Sequence, residues 1–349
     1  MAAVSIKCPN CAAPLGFEIA EQAFKCQFCD SEFASGDAQS FERQSDSEAQ
    51  QWSPDEFSSD ETVAYSCPSC GGSVLANKNT AATFCAFCHN PTILAAKVEG
   101  DYRPARIIPF KLEKAQALES MQKLCKRKVL LPRDFRQAMD KGEITGLYVP
   151  FWLFSADVQV SYRAAGRRVS TWSDTRFVYT RTDIYHVERE LELPLRLVPV
   201  DASTRMDSRL MDALEPFAYN DLIPFAMEYL SGSFAESYDV DSVQSAPRFR
   251  QRAESGAKVA VSETVRGYTS VERPVMNTNL RHMDCVYVML PVWTLMTQYR
   301  GKTYYLAMNG QTGKSAGKLP ICAPKALKIF GIIAAAVTVI SFVGGLLLS

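Results

Sequence analysis

Histidine is nearly missing from this chain, with three in 349 residues, at His89, His186 and His282, far apart in sequence. No His-Glu-x-x-His or Gly-x-Ser-x-Gly pattern occurs, so neither a zinc-protease helix nor a nucleophile elbow is present. Net charge is also missing, because 38 Lys and Arg balance 38 Asp and Glu. No long basic stripe with interleaved aromatics marks a nucleic-acid surface. The N-terminus has no basic n-region and no apolar h-region. The eleven cysteines are therefore not read as the disulfide framework of a small secreted protein. A complete P-loop is lacking too. Gly313-Lys314-Ser315 resembles its end, but Met308 stands where the first glycine must cradle phosphate. Asn309-Gly310 reads better as a turn after a strand, which speaks against helicase or ATPase activity.

Eight of the cysteines fall in four Cys-x2-Cys pairs. Cys8, Cys11, Cys26 and Cys29 are repeated as Cys67, Cys70, Cys85 and Cys88, every one displaced by 59 positions. Fourteen residues separate the pairs in both modules, with Phe24 or Phe84 just before the second pair. Two knuckles of soft thiolates supply the tetrahedral shell that structural zinc prefers, and the insert is long enough for a hairpin returning the second knuckle to the ion. The spacing thus predicts two zinc ribbons, at 1–29 and 64–96, each holding one structural zinc ion.

The rest divides by composition. Residues 30–63 read as a flexible acidic linker. From Asp30 to Glu61 ten acidic residues face one basic residue, Arg43, a net of −9. Residues 101–320 form a mixed helix and antiparallel-strand body. Ala115, Leu118, Met121 and Leu124 recur at helical spacing, and a short helix is expected near Asp134–Lys141. Strand signals occupy Val158–Tyr162, Arg176–Glu192 and Cys285–Asn309, with helices at about Met206–Leu214 and Asp241–Val265. Segregated strands and helices give an α+β class. Val149-Pro150-Phe151-Trp152 is echoed by Leu290-Pro291-Val292-Trp293, and Ile108-Pro109-Phe110 by Ile223-Pro224-Phe225. Two matches at different offsets leave duplication and coincidence equally open. Trp152, Trp172 and Trp293 read as core anchors of the sheet, and Cys125 and Cys285 as core or half-buried thiols. Lys123, Lys126, Arg127, Lys128 and Arg133 read as a solvated helix face.

Ile329 to Leu348 carries no formal charge, and Lys325 and Lys328 precede it. Such a run spans about 30 Å as helix, the thickness of a hydrocarbon core. It predicts one C-terminal transmembrane helix within 326–349, a tail anchor in the cell membrane, with the N-terminal body cytoplasmic.

The run from Cys67 to Asn90, together with Tyr148-Val149-Pro150-Phe151-Trp152-Leu153-Phe154 and Ala307-Met308-Asn309-Gly310-Gln311-Thr312-Gly313-Lys314, resembles a bacterial family of TFIIB-type zinc-ribbon proteins with a C-terminal membrane segment. The resemblance implies zinc binding by the eight cysteines. Some relatives carry a primosomal-helicase label, which the missing P-loop glycine does not support. The expected function is a membrane-tethered, non-enzymatic docking module for a protein or nucleic-acid partner. The alternative is an enzyme or small-ligand-binding protein with its site in the 101–320 body.

Overall fold

The computed structural model describes residues 3–6, 8–11, 13, 15–26, 29, 31–34, 43–45, 62–67, 73–77, 79–84, 91–94, 103–140 and 143–348. The N-terminal third is made of short strands: β1 (Ala3–Ile6), β2 (Gly16–Glu18), β3 (Ala23–Lys25), β4 (Glu32–Ala34), β5 (Arg43–Ser45), β6 (Thr62–Ser66), β7 (Ser73–Asn77), β8 (Thr80–Phe84) and β9 (Pro91–Leu94). β10 (Arg106–Ile107) leads into helices α1 (Lys114–Arg127) and α2 (Arg133–Asp140). Two long strands follow, β11 (Glu143–Ser173) and β12 (Val178–Asp201), then α3 (Ser208–Leu214), β13 (Ile223–Pro224) and β14 (Phe234–Glu236). The chain continues through α4 (Ser242–Thr264), β15 (Ser270–Tyr299), β16 (Lys302–Asn309), β17 (Ser315–Gly317) and α5 (Ala323–Leu348). The α+β class expected for the body is therefore observed.

One twelve-stranded sheet runs β13-β10-β15-β11-β14-β8-β9-β1-β5, with β12 beside β11, and β16 and β17 beside β15. Its centre is the antiparallel pair β11·β15. Both faces of that pair are buried, which explains the nearly unbroken apolar run Val286-Tyr287-Val288-Met289-Leu290. Tyr148, Met289, Trp293 and Leu295 face α1, α2 and the N-terminal strands. Val149, Phe151, Val288, Leu290 and Val292 face α3. Farther along, Val158, Val160, Tyr162 and Ala164 pack on Ala253, Ala257 and Val261 of α4. Asp201 ends β12, and its buried carboxylate is paired with Arg248 of α4. Arg252, one turn on, holds Glu215 just past α3, so the two helices are locked to the sheet by charge as well as by packing.

The two echoed motifs meet. Val149 pairs with Leu290 at the centre of the β11·β15 ladder. β12 adds to β11 from Phe151 onward, and β16 adds to β15 from Val292 onward, positions related by the same offset of 141. β14 lies parallel to β11 at Leu147 and Tyr148, and β10 lies parallel to β15 at Val288 and Met289, again at that offset. The pairing pattern is thus symmetric about Val149 and Leu290, which favours duplication over coincidence for this echo. Ile107 also pairs with Ile223 across β10·β13, so the Ile-Pro segments are neighbours as well.

Several expectations change. The buried face of α1 is Ala117, Met121 and Cys125, while Leu118 and Leu124 are only partly buried beside it. The run Cys285–Asn309 is split into β15 and β16 by a two-residue turn, Arg300-Gly301, with both φ angles near the left-handed region at 51° and 71°. The acidic linker contains a strand, β5, paired with β1. Trp152 and Trp293 are core anchors whose indole N–H groups donate to Val240 O (2.9 Å) and Leu112 O (2.8 Å). Trp172 is not a core anchor: it is 52% exposed near the end of β11.

Among the described residues, no helix is long and apolar enough to cross a membrane. This corrects the expected transmembrane tail at 326–349, and with it the membrane partner, the tail anchor and the single-pass cell-membrane location. The side chains of α5 are described as far as Thr338. Within that part, Lys325 and Lys328 place two charges in its first turns. Its start also belongs to the body, where Cys322 N donates to Leu130 O (2.8 Å) and Lys325 Nζ to Leu131 O (2.7 Å).

Candidate metal centre

The first cysteine module folds as the spacing requires. β2, β3 and β4 form a three-stranded antiparallel sheet, and Gln22, with φ of 51°, turns β2 back into β3. Each knuckle is closed by a backbone bond, from Cys8 N to Ala13 O (2.8 Å) and from Cys26 N to Ser31 O (3.0 Å). The result brings Cys8, Cys11, Cys26 and Cys29 together, with all four sulfurs within 4.8 Å of one another. Cys8 and Cys29 are 3.6 Å apart, and Cys11 and Cys26 are 3.4 Å apart. A tetrahedral ion with bonds of about 2.3 Å needs sulfur–sulfur edges of about 3.8 Å, so the cluster fits one metal ion. All four thiols are free of disulfides.

Cys8 and Cys26 are buried, while Cys11 and Cys29 are exposed. The Ser31 hydroxyl, 3.1 Å away, and the Ser31 amide hold the Cys29 thiol down to about 6. At Cys11 the Ala13 amide pulls the other way from its neighbours, but the hydrogen bond to Cys29 and loss of water push the thiol up to about 12. Cys29 is therefore the sulfur more readily present as thiolate, and a metal binding beside it must displace the proton of Cys11.

The module is not a free bead on a tether. Ile6, Cys8, Leu15, Phe24 and Cys26 belong to the same buried cluster as Phe110, Tyr148, Tyr229 and Trp293. Phe17 and Phe24 meet Tyr229 edge-on or tilted at 5.3 and 5.6 Å. The Ser231 hydroxyl donates to Leu15 O, and Gln22 Nε2 donates to Phe110 O. Tyr229 and Ser231 sit in and just after a 3-10 turn at Met227–Leu230 that carries no sequence signal of a metal site. Nothing in their spacing could have revealed this support, because it comes from more than two hundred positions away.

Of the second module, Cys67 is buried at 1% exposure, as Cys8 is at 2%. Cys70, Cys85 and Cys88 lie outside the described residues. β8 and β9 join the main sheet, with β8 against β14 of the body and β9 against β1 of the first module.

The P-loop-like stretch is a hairpin. Met308 pairs with Ser315, Asn309 Oδ1 accepts from Gln311 N and Thr312 N (both 2.9 Å), and Ser315 begins a strand rather than a helix. Lys123, Lys126, Arg127, Lys128 and Arg133 are exposed, Cys125 is buried and Cys285 is half-buried. A shallow cleft of about 500 Å³ lies on the sheet face turned away from α4, where Gln159, Ser161, Glu190, Glu192, Asn277 and Asn279 line it.

The fold and site define an α+β protein in which a cluster of four cysteines able to hold one metal ion is built into the core. The chain is similar to Uncharacterized protein YdjG of Bacillus subtilis (strain 168), 34% identical over 331 residues that cover 95% of this chain and 94% of that protein. It belongs to the same family. No family model matches the sequence, and no solved structure matches it.

Proposed function

We propose that this chain is a zinc-stabilised, non-enzymatic docking protein for a protein or nucleic-acid partner, with two structural zinc ions. Cys8, Cys11, Cys26 and Cys29 hold the first, and Cys67, Cys70, Cys85 and Cys88 hold the second. One observation carries the reading: the first shell is closed by four thiols, two of them within the protein core. A metal with no open position and no path through its inner ligands supports structure, not catalysis. The second ion is supported by the displacement of 59 and by the matching burial of Cys8 and Cys67. The likeness to TFIIB-type ribbons supports zinc over other thiophilic metals.

Elemental analysis of the purified chain should give about two zinc ions per molecule. Cys26→Ser and Cys85→Ser should each remove one. Full stoichiometry in either variant refutes its ligand set. A second reading, small-ligand binding in the 101–320 body, is favoured by the polar cleft beside Glu190 and Glu192. A screen of small polyhydroxylated or cationic compounds by thermal shift tests it, and a hit must lose its effect in Glu190→Gln.

A further inference from the structure

The ribbon of β11, β12 and β15 outruns the helix that covers it. α4 ends at Thr264, beneath Ala164 and Val187, and Tyr268 then closes over Gly166, where a Cβ would come within 2.6 Å of its ring. Past Arg167, where β15 begins, only β11 and β12 continue, as a bare hairpin. The face that α4 leaves uncovered carries Trp172 and Tyr179, directly paired and stacked at 5.7 Å, then Arg181, Arg168 and Tyr185. Phe177 and Arg176 complete the tip, with Phe177 63% exposed. Asp174 does not neutralise this surface from outside. Its carboxylate folds the turn, accepting from Arg176 N (2.7 Å), Phe177 N (2.8 Å) and the Tyr179 hydroxyl (3.0 Å). From Arg167 to Tyr185 there are four arginines and two aspartates; Arg181 is paired with Asp183 (2.8 Å) and Arg167 with Glu272 (3.0 Å), which leaves Arg168 and Arg176 for the carboxylates of a partner.

We infer that this tip is a docking surface for the acidic segment 46–61 of a second copy of this chain. That segment lies outside the described residues and has the complementary chemistry. It contains six carboxylates, no basic residue, and two aromatics, Trp52 and Phe57, for the exposed rings to meet. Opposite charges on the two surfaces steer encounter and fix register, and the aromatic rings supply the buried anchor.

Length decides between the same chain and another. Trp52 is seven residues past Ser45, the end of β5, so it reaches at most about 25 Å from that strand. β5 is the edge strand of the sheet on the side of β14, four strands beyond it, and β14 touches β11 at Leu147 and Tyr148, far from the ribbon tip. Trp172 is 24 residues farther along β11, about 80 Å at the rise of a flat strand. Against a reach of about 25 Å, that contour separation assigns the contact to a second copy, tip to segment, a heterologous contact that builds chains or rings instead of closed two-fold dimers.

The inference deepens the docking reading by assigning its surface and one partner. Zinc stoichiometry tests the metal independently, so the two can fail separately. A labelled synthetic peptide of residues 46–61, titrated with the full zinc-loaded chain and followed by fluorescence anisotropy, should bind saturably at low ionic strength and several-fold more weakly at high salt. Trp172→Ala with Arg176→Glu should weaken it roughly tenfold or more while keeping zinc content unchanged. Sedimentation of the chain should show mass growing with concentration beyond a dimer, lost in that variant and on deletion of 46–61. No peptide binding, binding indifferent to the tip variant, or a tip that captures oligonucleotide or anionic vesicles but not the peptide overturns the inference.

Discussion

Gly310 shows what a single hydrogen in place of a methyl does in this core. Its carbonyl accepts from both Lys111 N and Leu112 N at 3.0 Å, which pulls the chain after Phe110 tight against the turn. A Cβ there would meet the Phe110 ring at 2.6 Å and Pro291 Cβ at 3.0 Å. Phe110 has nowhere to retreat, since Tyr148 and Trp293 hold it at centroid distances of 5.0 and 4.9 Å. Gly310→Ala should therefore destabilise the chain by about 1–3 kcal/mol through overpacking. Urea unfolding checks this, and a midpoint equal to that of the parent would remove Phe110 as the obstacle. The sequence marks Asn309-Gly310 as a turn, and a turn forms there. It does so for a different reason at each residue. Asn309 accepts two amides, Gly310 allows close approach, and the positive φ, 76°, falls on Gly313.

At the scale of elements, the long strands survive by being bent. Between Phe154 and Asp157 the register of β11 slips once against β12 and once against β15, and it slips again against β15 between Arg163 and Ala165. The neighbouring strands each place a non-glycine residue at positive φ beside that segment, Leu197 at 53° and His282 at 51°. Each bulge is held by a side chain: the Ser155 hydroxyl accepts from Leu197 N (3.2 Å), and Asp157 joins Arg196 (2.7 Å) to His282 Nδ1 (3.2 Å). The Arg196 guanidinium, with His282 behind it, holds the Asp157 carboxyl below the usual carboxylate range. A depressed folded value means that the unfolded chain binds the proton first. The stability from this contact is complete above about pH 4 and is lost as the pH falls through the depressed value. Asp157→Asn should remove that part of the acid dependence, read as a flatter fall of the urea midpoint between about pH 4 and pH 2. An unchanged acid slope would show that Asp157 does not clamp the bulges. None of this is visible in the strand pattern, because a bulge depends on the register of three strands at once.

For the whole molecule, the decisive feature is that the cysteine modules share the sheet and the core of the body. β9 pairs with β1, and β8 pairs with β14, so modules distant in sequence are joined by backbone ladders. A metal held by Cys8, Cys11, Cys26 and Cys29 would then act as a staple beneath Phe17, Phe24 and Tyr229 as well as a local fold-former. Stripping it with a strong chelator should raise amide exchange across 8–33 and across Met227–Ser231, where Phe17 N and the Ser231 hydroxyl join the two. The β11·β12 arm, held by α4, should keep its protection. Exchange confined to 8–33 would mean that the module rests on the body without supporting it.

The sequence alone determined the local parts. The cysteine spacing fixed a knuckle–hairpin–knuckle, and Cys8, Cys11, Cys26 and Cys29 do converge. Apolar periodicity located α1, α2, α3 and α4 to within a few residues, because amphipathic patterns are set by neighbours one turn away. Tertiary structure decided what depends on distant partners. It made one sheet of three segments, turned Trp172 out to solvent, and set Val149 against Leu290. It also overturned the reading of the tail. By composition the apolar run reads as a membrane span, but in the folded chain the start of α5 is hydrogen-bonded to Leu130 and Leu131, and no described helix is long and apolar enough to cross. Hydrophobicity along the chain says that surface must be covered, and only the arrangement of the other elements says by what.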